Sequence, residues 1–326
     1  MTVLTRRAAL ALPALLPATA RAQDWRPGQP VRIIVPAAPG GTADAMARLT
    51  GQFLQTRWGT PAVVENRSGA GGTIGTMEVV RSAPDGRTML LGNIGPQAIG
   101  YSLFRNLQYR PDSLAAVANI IRAPNVLVVH PSVPAQTVPE FVAWLKRENG
   151  RATYGTSGMG QSPHLSAVWF NQLAGTQAEA IHHRGAGPLV IDLIAGNVQF
   201  AFDNLTTSME HIRSGRMRAL GVTTAERSPG LPDVPAIRET MPVLAPYEVS
   251  TWFGVFVPAG TPAEIIRSVN ADMQAMLALP ETGARFTTMG GRTAPGTPED
   301  FATFVRAEID KWGGVIRREG LQMDAT

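Results

Sequence analysis

Residues 31–46 read Val31-Arg32-Ile33-Ile34-Val35-Pro36-Ala37-Ala38-Pro39-Gly40-Gly41-Thr42-Ala43-Asp44-Ala45-Met46. The apolar run at the start predicts a buried strand. From Met46 onward, apolar residues recur at helical spacing through Leu54. A strand that turns through glycines into a helix leaves the first backbone N–H groups without intrahelical partners. Together with the helix dipole, these groups predict a site for a carboxylate or phosphate.

Two further loops repeat this arrangement. Gly69 to Gly75 follows a predicted strand at Ala62–Glu65 and precedes a helix that ends near Ser82. Ser157 to His164 follows a short strand near 152–154 and leads into a helix over 164–173. Backbone and hydroxyl donors in both loops suit an anion. The alternative for each glycine loop is a tight turn that binds nothing.

Strands alternate with helices along the rest of the chain, which favours parallel α/β sheets. The 326 residues suggest two domains, because single cores stop growing near 300 residues. The other predicted strands cover 88–91, 126–129, 198–203, 217–222 and 251–257, and the other helices cover 139–146, capped by Thr137, and 190–195, closed by Gly196.

The N-terminus has the three parts of an export signal. Arg6 and Arg7 precede an apolar run over 8–20, and Ala20-Arg21-Ala22 fits a cleavage site before Gln23. We therefore expect residues 1–22 to be a signal peptide and the mature protein to be periplasmic. The Sec and twin-arginine routes both remain open. The alternative is an anchoring helix, but the apolar run is too short to span a bilayer and contains two prolines.

Charge and cysteine content exclude several classes. The chain has 29 Lys and Arg against 25 Asp and Glu, and without the three arginines of the signal the balance is 26 against 25. We see no basic stripe for nucleic acid. Because the chain has no cysteine, it has neither disulfides nor thiolate metal sites.

An ordered set of motifs spans nearly the whole mature chain and resembles the tripartite tricarboxylate transporter substrate-binding proteins, the Bug-type periplasmic receptors. The matching segments are Val35–Gly41 with Asp44, Val64–Arg67, Gly69–Gly75, Ala83–Gly86 with Thr88, Tyr154, Ser157–Gly158, Gly160, Ser162, His164–Leu165, Arg184–Gly185, Asp192–Leu193, Gly196, Asp203, Gly215, Arg218–Leu220, Arg227–Ser228, Leu231–Pro235, Trp252 and Pro258–Pro262.

The resemblance implies a two-lobed α/β periplasmic binding protein fold of type II-like architecture, with each lobe a sheet flanked by helices and the ligand in a cleft between lobes. We place the crossings near Asn125 and Val249, so that lobe 1 comprises 23–124 and 250–326 and lobe 2 comprises 125–249. It further implies capture of a small carboxylate or amino acid. We expect a monomer that needs no cofactor or metal and binds no nucleic acid. The partners would be permease subunits in the membrane or, in the alternative, a sensor protein.

The candidate ligand-binding residues come from these loops and strand ends. They are Gly40, Gly41, Thr42, Asp44, Gly72, Thr73, Ser157, Gly158, Gln161, Ser162, His164, His183, Arg184, Gly185 and Asp203. Three have structural alternatives: Asp44 as a helix cap, His164 as a residue that holds its loop, and Asp203 as a surface loop residue.

Two positions depart from the family pattern. His183 stands where a tyrosine is usual, and Gln161 stands where a small hydroxyl residue is common. The adjacent histidines do not predict a metal site, because neighbours on a strand point to opposite faces. A serine hydrolase is the enzymatic alternative, since Gly155-Thr156-Ser157-Gly158-Met159 nearly matches G-x-S-x-G. Met159 replaces the final glycine, so we expect binding and not catalysis.

Overall fold

The computed structural model describes residues 25–318 and 320–324, so the predicted signal peptide lies outside the described residues. The strands are β1 (Val31–Val35), β2 (Ala62–Asn66), β3 (Thr88–Asn93), β4 (Leu114–Val129), β5 (Thr153–Thr156), β6 (Glu179–His182), β7 (Phe200–Asn204), β8 (Arg218–Val222), β9 (Ser250–Pro258) and β10 (Arg292–Thr293). The α-helices are α1 (Thr42–Trp58), α2 (Thr73–Val80), α3 (Gly100–Leu103), α4 (Val138–Glu148), α5 (Ser162–Ala174), α6 (Ala186–Ala195), α7 (Leu205–Arg213), α8 (Ala263–Leu277), α9 (Pro280–Thr288) and α10 (Pro298–Arg318).

Sheet I, in lobe 1, has the strand order β2-β1-β3-β9-β4, with β10 on β4. Strand β1 pairs in parallel with β2 and β3. Strand β9 is antiparallel to both of its neighbours, β3 and β4. Ile33 packs against α1 through Met46 and Leu54, while Ile34 faces a second apolar cluster on the other side of the sheet. Each such buried side chain contributes about 1.5–3 kcal/mol to stability.

Sheet II, in lobe 2, is built from the end of β4 with β7, β8, β5 and β6. Strand β4 pairs with β9 as far as Pro124 and with β7 from Asn125. The expected parallel pairing occurs among β1, β2 and β3 and among β5, β6 and β7, whereas β4 and β9 pair antiparallel with their neighbours. Strand β4 leads from sheet I into sheet II, and β9 runs beside its first part in the opposite direction.

Strand β4 is also much longer than the predicted segment 126–129. Its first part contains Asn119, Arg122 and Pro124, which interrupt the apolar pattern. Pairing with β9 nevertheless continues this strand to Pro124, with shifts in register between Ala116 and Ala118 and between Asn119 and Ile121. The other predicted elements occur within a few residues of their expected bounds, and Thr137 caps α4 by accepting from the backbone N–H of Glu140 at 3.3 Å.

The parallel strands determine where a site forms. The carboxyl ends of β1, β2 and β3 in lobe 1 face those of β5, β6 and β7 in lobe 2 across a cleft, because residues that end or follow these six strands border the same cavity. This is the edge of an α/β sheet at which ligands bind.

Candidate functional site

A cavity of about 570 Å³ lies between the two lobes. This volume suits a small organic molecule. The residues that line it are Pro36, Ala37, Gly41, Thr42, Ala43, Ser68, Gly69, Ala70, Gly71, Gly72, Ile74 and Asn93 from lobe 1, Ser157, Gly158, Met159, Gln161, Ser162, Pro163, His182, His183, Arg184, Gly185, Ala186 and Asn204 from lobe 2, and Thr251 and Phe253 from β9.

Five helices begin at this cavity: α1, α2, α5, α6 and α7. Their N-cap residues all line it, and none of them makes a side-chain capping hydrogen bond; they are Gly41, Gly72, Gln161, Gly185 and Asn204. The first N–H groups of these helices thus receive no bond from a cap side chain, which leaves those without another acceptor available to a ligand. In α2 the Thr73 N–H already donates to the Ala70 carbonyl. Each helix N-terminus also carries the equivalent of about half a positive charge.

The side chains reinforce this positive potential. Among the described residues that line the cavity there is no Asp, Glu or Lys, and Arg184 is the residue with a permanent charge. The Arg184 guanidinium is not paired with a carboxylate among the described residues. A cavity with these properties favours an anion.

The loop after β1 presents Gly41 and Thr42 to the cavity. The Thr42 hydroxyl shares a hydrogen bond with the hydroxyl of Thr206 on α7 in the opposite lobe. Gly40 and Asp44 lie outside the lining, where Asp44 Oδ2 accepts from the Gly40 N–H and the Arg48 guanidinium, each at 3.1 Å. Burial opposes ionisation of Asp44, but these bonds prevail and its pKa is lowered. Asp44 thus holds the loop before α1 through Gly40, which precedes the N-cap residue Gly41.

The glycine loop after β2 supplies Gly72, whose φ of 94° lies in the left-handed region that favours glycine. A side chain on Gly72 would approach the Pro36 carbonyl oxygen to 3.2 Å. Thr73 is buried at the start of α2 and lies outside the lining.

The loop after β5 contributes Ser157, Gly158, Gln161 and Ser162 to the lining. His164 lies behind this loop, where its Nδ1 accepts from the Gly160 N–H at 3.2 Å. Burial, assisted by His182, lowers the pKa of His164 to about 3, so the ring is neutral at physiological pH. Its contacts are those of the structural alternative, a residue that holds the loop.

The loop after β6 brings His183, Arg184 and Gly185 to the cavity. The Arg184 carbonyl accepts from the Ala38 N–H of the opposite lobe at 2.9 Å. Gly185 has a φ of 147°, and a side chain there would come within 3.1 Å of the Ala38 nitrogen.

Asp203 lies outside the lining and its neighbour Asn204 lies within it. The Asp203 Oδ2 accepts from Thr207 and Ser208 at 2.6 and 2.7 Å, and its Oδ1 is buried without a described partner. Burial raises the pKa of Asp203 to about 6. Adjacent side chains on β7 point to opposite faces of the sheet. Asn204 therefore lines the cavity in place of the predicted Asp203.

The sequence analysis missed several cavity residues. Asn93 ends β3, two residues beyond the predicted strand, and Thr251 and Phe253 come from β9. Of these three residues, only Asn93 could have been found from local sequence, because it is a polar residue close to the end of an apolar strand.

Comparisons with known proteins agree with this architecture. Residues 46–321 match the family model described as "Tripartite tricarboxylate transporter family receptor". Protein BugT of Bordetella pertussis (strain Tohama I) is 34% identical over 302 residues, which are 92% of each chain. Among solved structures, Rpa4515 of R. palustris with adipate has a TM-score of 0.88 at 33% identity, covering 91% of this chain and 99% of that one. MatC of Rhodopseudomonas palustris with bound malate has a TM-score of 0.85 at 30% identity, covering 89% and 99%. None of the described helices has the length and apolarity needed to cross a membrane.

Proposed function

Because the chain belongs to the tripartite tricarboxylate transporter receptor family, we propose that it captures a small organic acid in the cavity between its lobes for uptake by a membrane permease. The observation that carries this proposal is the convergence of five uncapped helix N-termini on a cavity whose described lining has no acidic side chain. Such donors stabilise a carboxylate without a matched cation.

The lobes hold the acid from both sides in this proposal. Gly41 and Thr42 bind one carboxylate through backbone and hydroxyl donors, and Ser157 and Ser162 approach the ligand from lobe 2. The change of partner along β4 at Asn125 supports lobe bounds of 23–124 with 250–326 and 125–249. Arg184 adds a permanent charge at the margin.

The related structures indicate the class of acid to test. Adipate and malate, bound to two proteins of the same fold, each carry two carboxylates. A cavity with helix N-termini on both sides suits a ligand with an anionic group at each end.

A thermal-shift screen of organic acids on the mature protein tests the proposal, because a cleft ligand raises the melting temperature by mass action. Calorimetry then measures affinity, and mass analysis of the recovered acid tests for turnover. A chemically changed acid would favour the hydrolase alternative. Failure of all di- and tricarboxylates to stabilise the protein would contradict the proposed function.

Export and delivery are parts of the same proposal. We propose cleavage after Ala22, which intact-mass analysis of the secreted protein tests; a mature species that retains Arg6 and Arg7 would refute it. Replacing both arginines with lysines blocks export only on the twin-arginine route. Uptake of labelled acid by cells with and without the permease subunits tests delivery.

A further inference from the structure

The backbone of Gln161 is hydrogen-bonded within lobe 2, whereas its side chain is hydrogen-bonded to lobe 1. Its N–H donates to the Gly158 carbonyl at 3.2 Å, and its carbonyl accepts from Leu165 at 3.1 Å in the first turn of α5. Although it occupies the N-cap position, its side chain does not cap the helix. Instead, Nε2 donates to the carbonyl of Gly71 in lobe 1 at 2.8 Å.

Lobe 1 has space for this side chain because two glycines border it. A Cβ on Gly95 would lie 2.5 Å from Oε1, 2.7 Å from Cδ and 2.8 Å from Nε2 of Gln161. A Cβ on Gly71 would lie 2.5 Å from the carbonyl oxygen of Met159. Only glycine at these two positions admits the Gln161 carboxamide and the adjoining backbone.

The lobes also touch at the other end of the cleft, through different chemistry. There the Ala38 N–H donates to the Arg184 carbonyl, and a Cβ on Gly187 would lie 2.7 Å from the Pro39 carbonyl oxygen. The bond between Ala38 and Arg184 joins backbone atoms only, and the hydroxyls of Thr42 and Thr206 form a further bond between the lobes. At the Gln161 end the bond depends on one carboxamide side chain, and its acceptor is a protein carbonyl and not a ligand.

We propose that Gln161 is a latch that stabilises the closed arrangement of the lobes and, by filling the Gly71–Gly95 end of the cavity, limits the length of the acid bound there. The second part rests on the proposed function, because it concerns the same ligand. The latch itself needs no ligand, since donor and acceptor are both in the chain. We therefore expect the closed arrangement to be populated before the acid arrives.

Two substitutions separate the two roles. Gln161→Met keeps a side chain of similar length but has no donor, so it removes the latch and retains the volume. Gln161→Ala removes both. Gln172→Met is the matched control, because Gln172 is exposed on the same helix and does not line the cavity.

Closure is measured without any acid. The chain has no cysteine, so spin labels are introduced at Gln52 on α1 and Ile191 on α6, both exposed on helices that begin on opposite sides of the cleft. The distance distribution of the parent should contain a closed population that Gln161→Met reduces three- to tenfold and Gln172→Met leaves unchanged. A parent without a closed population, or a Gln161→Met variant with the parent's closed fraction, overturns the latch.

Ligand length is measured by calorimetry with linear dicarboxylates from succinate to suberate. Gln161→Met should keep the parent's preferred length and weaken binding three- to tenfold, whereas Gln161→Ala should shift the preference to longer acids. An unchanged preference in Gln161→Ala overturns the length limit. If the parent binds no acid at all, the proposed function and the length limit fail together, while the label distances still decide the latch.

Discussion

His183 donates through Nε2 to Oδ2 of Asp192 over 2.8 Å, while its Nδ1 lies 3.2 Å from the carbonyl of Thr156. Neither partner has a hydrogen to give, because hydrogen bonds to His183 and Asn197 lower the pKa of Asp192 and keep it ionised. Nε2 therefore donates to this carboxylate, and the ring links the loop after β6 to α6 and to the end of β5. The residue that replaces the family's usual tyrosine thus fixes the position of a loop that lines the cavity.

Replacing His183 with phenylalanine should weaken acid binding. The ring ties the loop that carries Arg184 to both β5 and α6, and Arg184 in turn contacts Ala38 across the cleft. Because Asp192 is about one-third exposed, solvent screening reduces the effect to about 1 kcal/mol, or about fivefold in Kd.

Calorimetry of acid binding measures the loss. His130→Phe is the control, because His130 bonds Ser132 and does not line the cavity. If His183→Phe binds the acid as tightly as the parent does, the two bonds of the His183 ring do not position this loop for binding.

Replacing Asp203 with asparagine should stabilise the protein at alkaline pH. Burial raises the folded-state pKa of Asp203 from 3.8 to about 6, so the folded protein holds this proton more tightly than the unfolded chain does. The stabilisation is complete below pH 3.8 and is lost as the pH rises through about 6. The loss in the free energy of unfolding between these pH values is on the order of 2–3 kcal/mol. The Asp203→Asn variant should not show this loss, because its amide stays neutral.

Thermal unfolding at pH 4 and pH 8 checks this expectation. The parent should lose stability between the two values more steeply than Asp203→Asn. Asp310→Asn, at an exposed position on α10, is the control. Equal destabilisation of Asp203→Asn at both values would mean that the bonds from Thr207 and Ser208 matter more than the buried charge.

Replacing Gly41 with valine should prevent closure without unfolding lobe 1. Gly41 has a φ of −95°, which any residue adopts, but its Cβ would lie 3.3 Å from Cβ of Ala186 in the opposite lobe. The branches of valine extend further into that contact. Small-angle scattering with a binding acid should show a decrease in the radius of gyration for the parent and none for Gly41→Val.

The control for this substitution is Gly28→Val, where a Cβ meets nothing within 4 Å. Both variants should unfold at temperatures close to that of the parent without ligand. Normal binding and normal compaction by Gly41→Val would place the acid elsewhere.

Replacing Ser157 with alanine should weaken acid binding about tenfold. The Ser157 hydroxyl lines the cavity, and a hydrogen bond from it to a carboxylate contributes about 1.5–3 kcal/mol. In the variant, a water molecule that bonds the same carboxylate oxygen compensates for part of this loss. Calorimetry measures the loss, with Ser214→Ala at an exposed position outside the cavity as the control. Equal affinities of Ser157→Ala and parent would remove Ser157 from the site.

Local patterns were sufficient for the features that arise within one strand–loop–helix unit. The glycine-containing loops at 40–41, 69–72 and 158–160 follow predicted strands and precede predicted helices, and the structure brings these loops to one cavity. Backbone geometry makes such predictions reliable, because a helix start exposes its N–H groups whatever surrounds it. The positions of Asp44 and His164 were less predictable, because their side chains have partners only four residues away that compete with a ligand.

The sequence by itself determined the alternation of strands and helices, the loops from which a ligand site is built and the family resemblance, since each depends on residues close together in the chain. Tertiary structure alone decided which face of β7 meets the cavity, how far β4 extends and which atoms meet across the cleft. The Gln161–Gly71 contact joins residues 90 positions apart, so a pattern among neighbouring residues cannot predict it. Such contacts depend on how the two lobes pack together, so they become visible only when the chain is folded.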